Sequence, residues 1–212
     1  MSAPSEPIQR SLELLRELAA ISQTGLEFTK DPYDRERYIR LRQVVEELLH
    51  TPPSANPEFD PGVLLGNDKG YSTPKVDVRG AAFRDGRVLM VRERSDGLWT
   101  LPGGWCDLGT SAGESVVKEI REESGFEARA VKLAAVQDRR KYPHPFQFHH
   151  IYKLYFLCEL TGGRPQESIE TDGVDFFAED ALPPLSTGRV LEQQIHLMFQ
   201  HERNRGLPTA FD

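Results

Sequence analysis

The sequence predicts an α/β protein in which a mixed β-sheet is covered by helices and preceded by a small helical hairpin. Three observations support this prediction: apolar residues recur at helical spacing near the N-terminus, the middle of the chain alternates in strand fashion, and helical stretches separate the strands. Strands that are divided by helices, with hairpins among them, are typical of a mixed sheet between helical layers.

The helical hairpin is predicted between about Ile8 and Leu49, where apolar residues fall in two groups at spacings of three and four. Gly25 is predicted to end the first helix and Pro32 to open the second. Two helices of this size enclose little core of their own. Their apolar faces should therefore dock on the rest of the chain or on a second copy, and we expect residues 1–50 to form a dimer interface.

Residues 51–72 are predicted to be a linker, which leaves 73–212 as the main domain. The segment Thr51–Gly62 reads TPPSANPEFDPG. Proline, asparagine and glycine at this density favour turns and oppose both helix and sheet. The chain is therefore expected to have a small helical part and a larger α/β part.

Strand signals follow the linker in two blocks. The predicted strands are Lys75–Phe83, Arg87–Arg92, Val131–Val136, Ile151–Leu160 and Val174–Phe177. Asp85–Gly86 joins the first two and is a strong signal for a two-residue hairpin turn. A second turn is expected at Gly162–Gly163. Helices are predicted at Ser115–Ser124, between the two blocks, and at Ser186–Arg203, near the end of the chain.

Composition and charge restrict the classes of function. A chain of 212 residues with 28% charged and 38% hydrophobic residues is typical of a soluble globular protein. The formal net charge of -7 disfavours a long footprint on nucleic acid. No apolar run approaches the roughly 20 residues that span a bilayer, and the N-terminus lacks the pattern of a secretory signal. Cys106 and Cys158 are too few for a disulfide scaffold, so we expect a cytoplasmic protein without a membrane partner.

A cluster of carboxylates gives the strongest functional signal. In the segment KEIREESGF, Glu119, Glu122 and Glu123 stand at positions i, i+3 and i+4 of a predicted helix and can converge on one face. Such like charges repel one another unless a hard cation such as Mg²⁺ lies among them. Gly125 is predicted to end this helix in a left-handed conformation. A solvated acidic helix face is the alternative interpretation.

A glycine-rich loop, Leu101–Gly109, precedes this helix and reads LPGGWCDLG. Its Pro-Gly-Gly turn lets the backbone approach a ligand or metal because no Cβ intrudes. Cys106 lies in this loop but lacks a paired histidine for acyl transfer, so thiol catalysis is rejected. The combination of loop, carboxylates and strand context favours a metal site over a solvated face.

The loop and helix together resemble the signature of the Nudix hydrolases, G-x5-E-x7-R-E-U-x-E-E-x-G-U, in which U is aliphatic or aromatic. The positions that match in register are Gly104, Glu119, Ile120, Glu122, Glu123, Gly125 and Phe126. Two positions depart: Thr110 replaces the first glutamate and Lys118 replaces the arginine. Lysine keeps the charge but loses the bidentate fork. Because threonine offers no carboxylate, a ligand or orienting partner must come from elsewhere, and Asp107 and Glu114 are near in sequence.

The resemblance covers nearly the whole chain. Segments such as GLEFTKDPYDRERY, PKVDVRGAAF and DRRKYPHPFQFHHIYKLYF are similar to a bacterial subgroup with a helical N-terminal segment, which includes CDP-choline and ADP-ribose pyrophosphatases. The resemblance implies a Nudix α/β/α sandwich and a homodimer. It also implies metal-dependent hydrolysis, with Mg²⁺ or Mn²⁺, of a nucleoside diphosphate linked to X. The products would be a nucleoside monophosphate and phosphorylated X.

The resemblance also implies roles for individual residues. Glu119, Glu123 and Gly104 are expected to hold the metal, and Glu122 to hold it directly or through water. Glu122, Glu123 and Glu170 are the candidate catalytic residues. Glu170 is the candidate general base because the motif lacks its first glutamate. An ordinary loop glutamate is the alternative for Glu170.

Candidate substrate contacts lie on a strand and in loops. Arg79 shares a strand face with Asp77, and this arrangement predicts either a phosphate contact or a structural ion pair. Arg139 and Lys141 belong to the densest basic stretch and are expected to hold a phosphate or X, unless they are solvated. Trp105 is expected to line the site. Three further aromatic residues either stack on a base or belong to the core: Tyr142, Phe146 and Phe148.

Two other functions remain open from the sequence. The same fold could sense a nucleotide sugar without turnover, which Thr110 and Lys118 favour and the retained carboxylates oppose. Trimming of RNA 3′ ends would use similar chemistry, but the acidity of the chain opposes long RNA.

Overall fold

The computed structural model describes residues 6–50 and 70–212, and the chain falls into two compact units. One unit comprises the chain up to Pro74, as far as it is described, together with Phe146–His150. The other unit comprises Lys75–Pro145 and Ile151–Asp212. Most of the predicted linker, residues 51–69, lies outside the described residues. Among the described helices, none has the length and apolar character required to cross a membrane.

The N-terminal unit contains the predicted pair of helices, α1 (Glu6–Phe28) and α2 (Pro32–Leu49). Asp31 caps α2, because its carboxylate accepts the backbone N–H groups of Tyr33 and Asp34 at 2.8 and 2.9 Å. The core of this unit consists of Leu12, Leu15, Ala19, Val45, Leu49 and Phe148. Phe146 packs against it as well. Both phenylalanines therefore serve as packing residues, the second of the two alternatives.

The prediction that Gly25 ends the first helix is wrong, because α1 continues to Phe28. A Cβ at Gly25 would lie 2.4 Å from the ring of Tyr38 on α2. Glycine is needed here for the close approach of two helices, and this packing outweighs its low helix propensity.

The second unit contains a seven-stranded mixed sheet. Its strands are β1 (Lys75–Arg84), β2 (Arg87–Glu93), β3 (Trp99–Thr100), β4 (Phe126–Asp138), β5 (Ile151–Gly163), β6 (Thr171–Phe177) and β7 (Ala210–Phe211). The order is β3-β2-β1-β5-β4-β7, with β6 beside β2. The pairs β1–β5 and β4–β7 are parallel and the others are antiparallel. The predicted mixed sheet is confirmed.

Several predicted boundaries shift in the sheet. The hairpin between β1 and β2 turns at Asp85 and Gly86, whose φ values are 51° and 72°, as predicted. β4 begins at Phe126, well before the predicted start at Val131. Phe126 pairs with Gly163, so the turn expected at Gly162–Gly163 is instead the end of β5. Strand pairing between distant segments has extended both strands beyond their local pattern.

Two helices pack on this sheet, α3 (Ala112–Ser124) and α4 (Glu192–Arg203), and a short 3-10 turn spans Arg139–Lys141. α3 starts with a capping box between Ser111 and Glu114 and ends at Gly125, whose φ of 75° matches the predicted left-handed stop. α4 begins at Glu192, later than the predicted start at Ser186. The hydroxyl of Ser186 donates to Asp96 at 2.7 Å, which holds the preceding segment in a loop.

The apolar core lies on both faces of the sheet. On one face, Ala81 of β1 packs in a cluster with Ile195 and Met198 of α4. On the other face, Val78 of β1 packs in a cluster with Ile120 of α3. Because alternate residues of β1 face opposite layers, the strand is buried on both sides. This arrangement is the predicted α/β/α sandwich.

A buried polar network ties a loop of this unit to α4. The Nδ1 of His144 lies 2.7 Å from the carbonyl oxygen of Thr187, and its Nε2 lies 3.2 Å from the amide nitrogen of Gln194. These partners favour a neutral imidazole that carries its proton on Nδ1. Gln194 also donates to Gln137 at 2.9 Å. Burial lowers the pKa of His144 to about 4.

The buried His144 predicts a loss of stability in acid. Because its pKa is 6.5 in its ordinary state and about 4 in the fold, the unfolded chain binds more protons between these values. The stability contributed by the neutral ring is complete above pH 6.5 and falls as the pH decreases toward 4. His144→Asn keeps an amide donor but does not titrate. Its free energy of unfolding in urea should therefore change less between pH 7 and 4.5 than that of the wild type. Equal changes in the two proteins would contradict this assignment.

Candidate active site

The glycine-rich loop runs along the edge of β1. Three backbone hydrogen bonds join them: Gly80 N–H to Pro102 at 2.8 Å, Val78 N–H to Gly104 at 2.8 Å and Cys106 N–H to Val76 at 2.9 Å. Gly103 has a φ of 148°, and a Cβ there would lie 2.0 Å from the carbonyl oxygen of Val78. The loop can approach the strand only because this residue is glycine.

Glu123 lies near the end of α3, with 5% of the residue exposed. Its Oε2 accepts the N–H of Gly103 at 2.8 Å, and its backbone carbonyl accepts the hydroxyl of Thr171 at 2.6 Å. Burial raises the pKa of Glu123 to about 8, although the positive charge of Arg79 and the Gly103 hydrogen bond act to lower it. An ionised Glu123 at neutral pH therefore needs additional positive charge nearby.

Glu119 lies one turn before Glu123, against the glycine-rich loop. A Cβ at Gly104 would lie 3.1 Å from its Oε1, so the glycine leaves room for this carboxylate. Burial raises the pKa of Glu119, and the negative charges of Glu122 and Glu170 add to this effect. Glu122 itself is exposed, with one carboxylate oxygen 3.7 Å from the amine of Lys118. Helical spacing thus places all three motif carboxylates together, and only Glu122 faces bulk solvent extensively.

Two carboxylates outside the motif lie close to this group. Glu93 ends β2, is 5% exposed and forms an ion pair with Arg189, whose Nε lies 3.0 Å from its Oε1. Glu170 has an exposed side chain, and its carbonyl accepts the backbone N–H of Arg94 at 2.8 Å. Burial is the main cause of the raised pKa values of Glu93 and Glu119, and the charge of Glu170 contributes to both. The structure therefore brings Glu170 near the motif carboxylates.

The charge balance of this carboxylate cluster fits a divalent cation. Burial raises the pKa of Glu93, Glu119 and Glu123, which shows that these side chains share too little positive charge. Carboxylate oxygens are the ligands that Mg²⁺ and Mn²⁺ prefer. In the described ranges, however, no three His, Cys, Asp or Glu side chains are already arranged to hold a metal ion. The donor chemistry fits, and the carboxylates would have to adjust around the ion.

Gly104, a predicted metal ligand, has its carbonyl oxygen engaged with Val78 N–H at 2.8 Å. A carbonyl oxygen has two lone pairs, so this bond leaves one of them available. The strand contact fixes the direction of the carbonyl, which is compatible with the expected role.

The neighbours of Thr110 do not replace the missing carboxylate. The Thr110 hydroxyl lies 2.6 Å from the Ser115 hydroxyl and donates to the Asp107 carbonyl at 2.9 Å. The carboxylate of Asp107 accepts the amine of Lys118 at 2.6 Å, and Glu114 completes the capping box. Asp107 and Glu114, the acidic residues close to Thr110 in sequence, are therefore both engaged in local contacts.

Arg79 forms a buried ion pair with Asp77, the structural alternative foreseen for it. Nε lies 2.9 Å from Oδ1 and Nη2 lies 2.8 Å from Oδ2, while Lys153 adds a third contact to Oδ1 at 2.6 Å. The remaining Nη1 donates to the Leu101 carbonyl at 3.3 Å. Burial opposes the charged form, but Asp77, and to a smaller extent Glu123, keep the pKa of Arg79 raised. Arg79 thus supplies positive charge beside Glu123 from a fixed position.

The other predicted substrate contacts are more dispersed. Arg139 is 7% exposed and donates to the Pro145 carbonyl at 2.7 Å, whereas Lys141 is exposed on the 3-10 turn. No contact between described residues joins either of them to the motif carboxylates. Trp105 is 44% exposed and forms a backbone bridge with Asp77 beside β1. The hydroxyl of Tyr142, the third aromatic candidate, donates to Asp212 at 2.9 Å.

Sequence reasoning did not identify Glu93, Lys153 or Arg189. All three lie outside the motif. Each forms an ion pair with a residue that is distant in the chain, Glu93 with Arg189 and Lys153 with Asp77. The position of Glu93 at the end of a strand just before the glycine-rich loop was the only local signal available.

Two family models match the chain. Residues 9–58 match a UDP-X-like N-terminal oligomerisation domain, and residues 74–196 match the NUDIX domain. The second match alone covers more than half of the chain. It includes the glycine-rich loop and the carboxylates of Glu93, Glu119, Glu122, Glu123 and Glu170.

Two of three similar proteins match along nearly the full length of this chain, and the third matches about two thirds of it. The Bacillus subtilis (strain 168) protein YjhB, provisionally named an ADP-ribose pyrophosphatase, is 45% identical over 201 residues, which is 95% of this chain and 96% of YjhB. A crystal structure of UDP-X diphosphatase is 36% identical, covers 97% of this chain and 99% of its own, and has a TM-score of 0.62. An ADP-ribose pyrophosphatase from Streptococcus suis 89-1591 is 40% identical over 66% of this chain and 100% of its own, with a TM-score of 0.61.

The resemblance inferred from the motif is confirmed by these matches, and so is the N-terminal segment of the subgroup. The buried carboxylates and the loop that holds them fall within the matched domain. The chain therefore belongs to the Nudix hydrolase family, as a pyrophosphatase whose NUDIX domain follows an N-terminal segment of the UDP-X-like type.

Proposed function

We propose that this enzyme hydrolyses a nucleoside diphosphate linked to X, giving a nucleoside monophosphate and phosphorylated X. The observation that carries the proposal is the buried carboxyl of Glu123, which the glycine-rich loop holds beside Glu119. The relatives named for ADP-ribose and UDP-X support this class of substrate. ADP-ribose is the first substrate to test, and CDP-choline, expected from the sequence, belongs in the same panel.

We propose Mg²⁺ or Mn²⁺ as the cofactor, since Nudix hydrolases generally use divalent cations. Glu119 and Glu123, together with Glu122 and the carbonyl of Gly104, would hold the ion. A bound cation supplies positive charge that offsets these carboxylates and the charge that develops on the phosphoryl oxygens. Arg79, fixed beside Glu123 by its ion pair with Asp77, adds positive charge from the protein itself.

Glu170 is the proposed general base for the attacking water. Its backbone is anchored, because Arg94 N–H donates to its carbonyl at 2.8 Å and its own N–H donates to the Ser168 hydroxyl at 3.0 Å. Its side chain is exposed and close enough to Glu119 to affect the pKa of that group. An exposed carboxylate beside the cluster can accept a proton from water and release it to solvent.

We place the enzyme in the cytoplasm. Cys106 and Cys158 are both free thiols. A reducing compartment maintains cysteines in this state, and this supports the expectation from the sequence.

The proposed function is tested by an assay of ADP-ribose hydrolysis that compares wild type with Glu123→Gln. Glutamine keeps the shape of the side chain and can accept the Gly103 N–H, but it carries no negative charge. With Mg²⁺ present, kcat should fall at least about a hundredfold. The matched control is Glu127→Gln, which changes an exposed glutamate at the start of β4 and should leave kcat within about twofold of wild type.

The assay should use a panel of ADP-ribose, UDP-linked sugars and CDP-choline, with products identified by mass spectrometry in oxygen-18 water. The position of the heavy oxygen in the two products reports which phosphorus atom is attacked. Cleavage of no panel member would contradict the proposed function. Full activity of Glu123→Gln would contradict the role of this residue.

The raised pKa of Glu123 predicts an unusual pH dependence for the metal-free protein. Its carboxyl has a pKa of about 8 in the fold and 4.5 in its ordinary state. The folded state therefore binds more protons between these values, and the contribution of Glu123 to stability falls as the pH rises from about 4.5 to 8. Glu123→Gln should gain about 3 to 4 kcal/mol relative to wild type between pH 5 and 8. Urea denaturation in a chelator measures this difference, and a constant difference would rule the prediction out.

We also propose that the enzyme is a homodimer assembled through α1 and α2. The matched family model describes this segment as an oligomerisation domain. Large apolar side chains on these helices are exposed in the single chain: Leu14, Ile21, Phe28, Ile39 and Leu48. Exposed apolar residues in this number are typical of an interface.

Removal of the helices should therefore abolish the dimer. A chain that starts at Thr73 is expected to be monomeric by light scattering, whereas the full chain is dimeric. In the full chain, Ile21→Glu should shift the population toward monomer, because it would bury a charge in the interface. Lys30→Gln, an exposed polar change between the same helices, is the control. A truncated chain that stays fully dimeric would exclude this interface.

A further inference from the structure

The cations near the carboxylate cluster are mostly committed to protein carboxylates. Arg79 is 4% exposed and bidentate to Asp77. Lys118 contacts Asp107 at 2.6 Å and Glu122 at 3.7 Å. A diphosphate adds further negative charge to a site that already concentrates carboxylates, so an accessible cation from the protein, in addition to any metal, favours its binding.

Arg189 is such a cation, since it touches the cluster and a third of its side chain is exposed. Its Nε lies 3.0 Å from Oε1 of Glu93. Nη1 lies 3.3 Å from Asp96 and 3.0 Å from the Ser186 hydroxyl, and Nη2 lies 3.2 Å from the Ser95 hydroxyl. The contacts of Nη1 and Nη2 are hydrogen bonds, whereas the contact between Nε and Glu93 is an ion pair. One Nη2 hydrogen has no partner within the part of the chain that the structure describes.

The loop before α4 is built to hold Arg189 in this place. The hydroxyl of Ser186 donates to Asp96 at 2.7 Å, and its backbone N–H donates to the Trp99 carbonyl at 2.8 Å. The backbone N–H of Arg189 donates to the Ser186 carbonyl at 2.8 Å. A side chain held by this many contacts loses little further entropy when it binds a ligand.

Glu93 links Arg189 to the motif carboxylates. Burial raises the pKa of Glu93, and Arg189 is the largest influence in the opposite direction. The charges of Arg79 and Glu170 also act on Glu93, and Glu93 acts in turn on Glu123. Glu93 therefore lies between the guanidinium of Arg189 and Glu123, the carboxyl that is proposed to act on the substrate.

We propose that Arg189, whose side chain is one-third exposed, binds a phosphate oxygen of the substrate through its guanidinium. This proposal rests on the proposed function, because it assumes that a diphosphate binds beside the carboxylate cluster. The planar fork of arginine matches phosphate geometry, and the ion pairs with Glu93 and Asp96 fix the position of the fork while a third of the side chain stays exposed. Arg189 thus serves as a substrate-binding residue, which the Nudix motif does not include.

The test compares Arg189→Gln and Arg189→Lys with wild type on ADP-ribose. Loss of one charge-assisted hydrogen bond to phosphate should raise KM about tenfold to a hundredfold in Arg189→Gln, with kcat within about threefold. Arg189→Lys should recover part of the loss, because it keeps the charge without the fork. The matched control is Arg203→Gln, which removes an arginine that is 58% exposed on α4 and paired with Glu179. It should leave KM within about twofold.

A binding measurement separates this proposal from the proposed function. Calorimetry with ADP-ribose and Mg²⁺ in the Glu123→Gln background gives a dissociation constant without turnover, and adding Arg189→Gln should raise that constant by the same factor as KM. An unchanged KM and dissociation constant, with only a lower Tm or kcat, would show that Arg189 merely stabilises its loop and would overturn the proposal. If wild type binds ADP-ribose but cleaves no panel member, the proposed function fails while the binding constants still decide the role of Arg189. If wild type neither binds nor cleaves any panel member, both fail.

Discussion

The contact between the buried Glu123 carboxylate and the backbone N–H of Gly103 is the constraint on which the site depends. A carboxylate at this depth is costly unless hydrogen bonds and positive charges surround it. The loop can supply its N–H only because Gly103 lets the backbone run against β1. Thr171 holds the other side by donating to the Glu123 carbonyl, so a helix, a loop and a strand meet at one residue.

Positive charge is supplied to this cluster from outside the helix that carries it. Arg79 is fixed by Asp77 on β1, and Arg189 is fixed by Glu93, Asp96 and the serines around them. Each arginine is thus held by a carboxylate that does not belong to the motif. These ion pairs place two arginines around the carboxylate cluster in a chain of net charge -7. Of the two, Arg189 is partly exposed, whereas Arg79 is buried in its ion pair with Asp77.

Glycine has two different functions at three positions of the chain. Gly125 ends α3 in the left-handed conformation, which follows from its place after an amphipathic helix. Gly103 and Gly25 allow close approach, to β1 in one case and to the ring of Tyr38 in the other. A sequence pattern indicates the first function, because it is local. The second function depends on what packs against the glycine, and for this reason Gly25 was wrongly predicted to end a helix.

The sequence by itself determined the features that follow from local spacing. The carboxylates of Glu119, Glu122 and Glu123, the stop at Gly125 and the hairpin at Asp85–Gly86 depend on helix periodicity and turn geometry within a few residues. Tertiary structure alone decided which distant residues join them. Asp96 and Arg189 are 93 residues apart in the chain, and Asp77 and Lys153 are 76 apart. Residues so far apart in the chain come into contact only when the strands and loops pack together. A local sequence pattern therefore does not show which charged side chain will lie beside a buried carboxylate. The active-site helix could therefore be predicted from the sequence, and its charge balance could not.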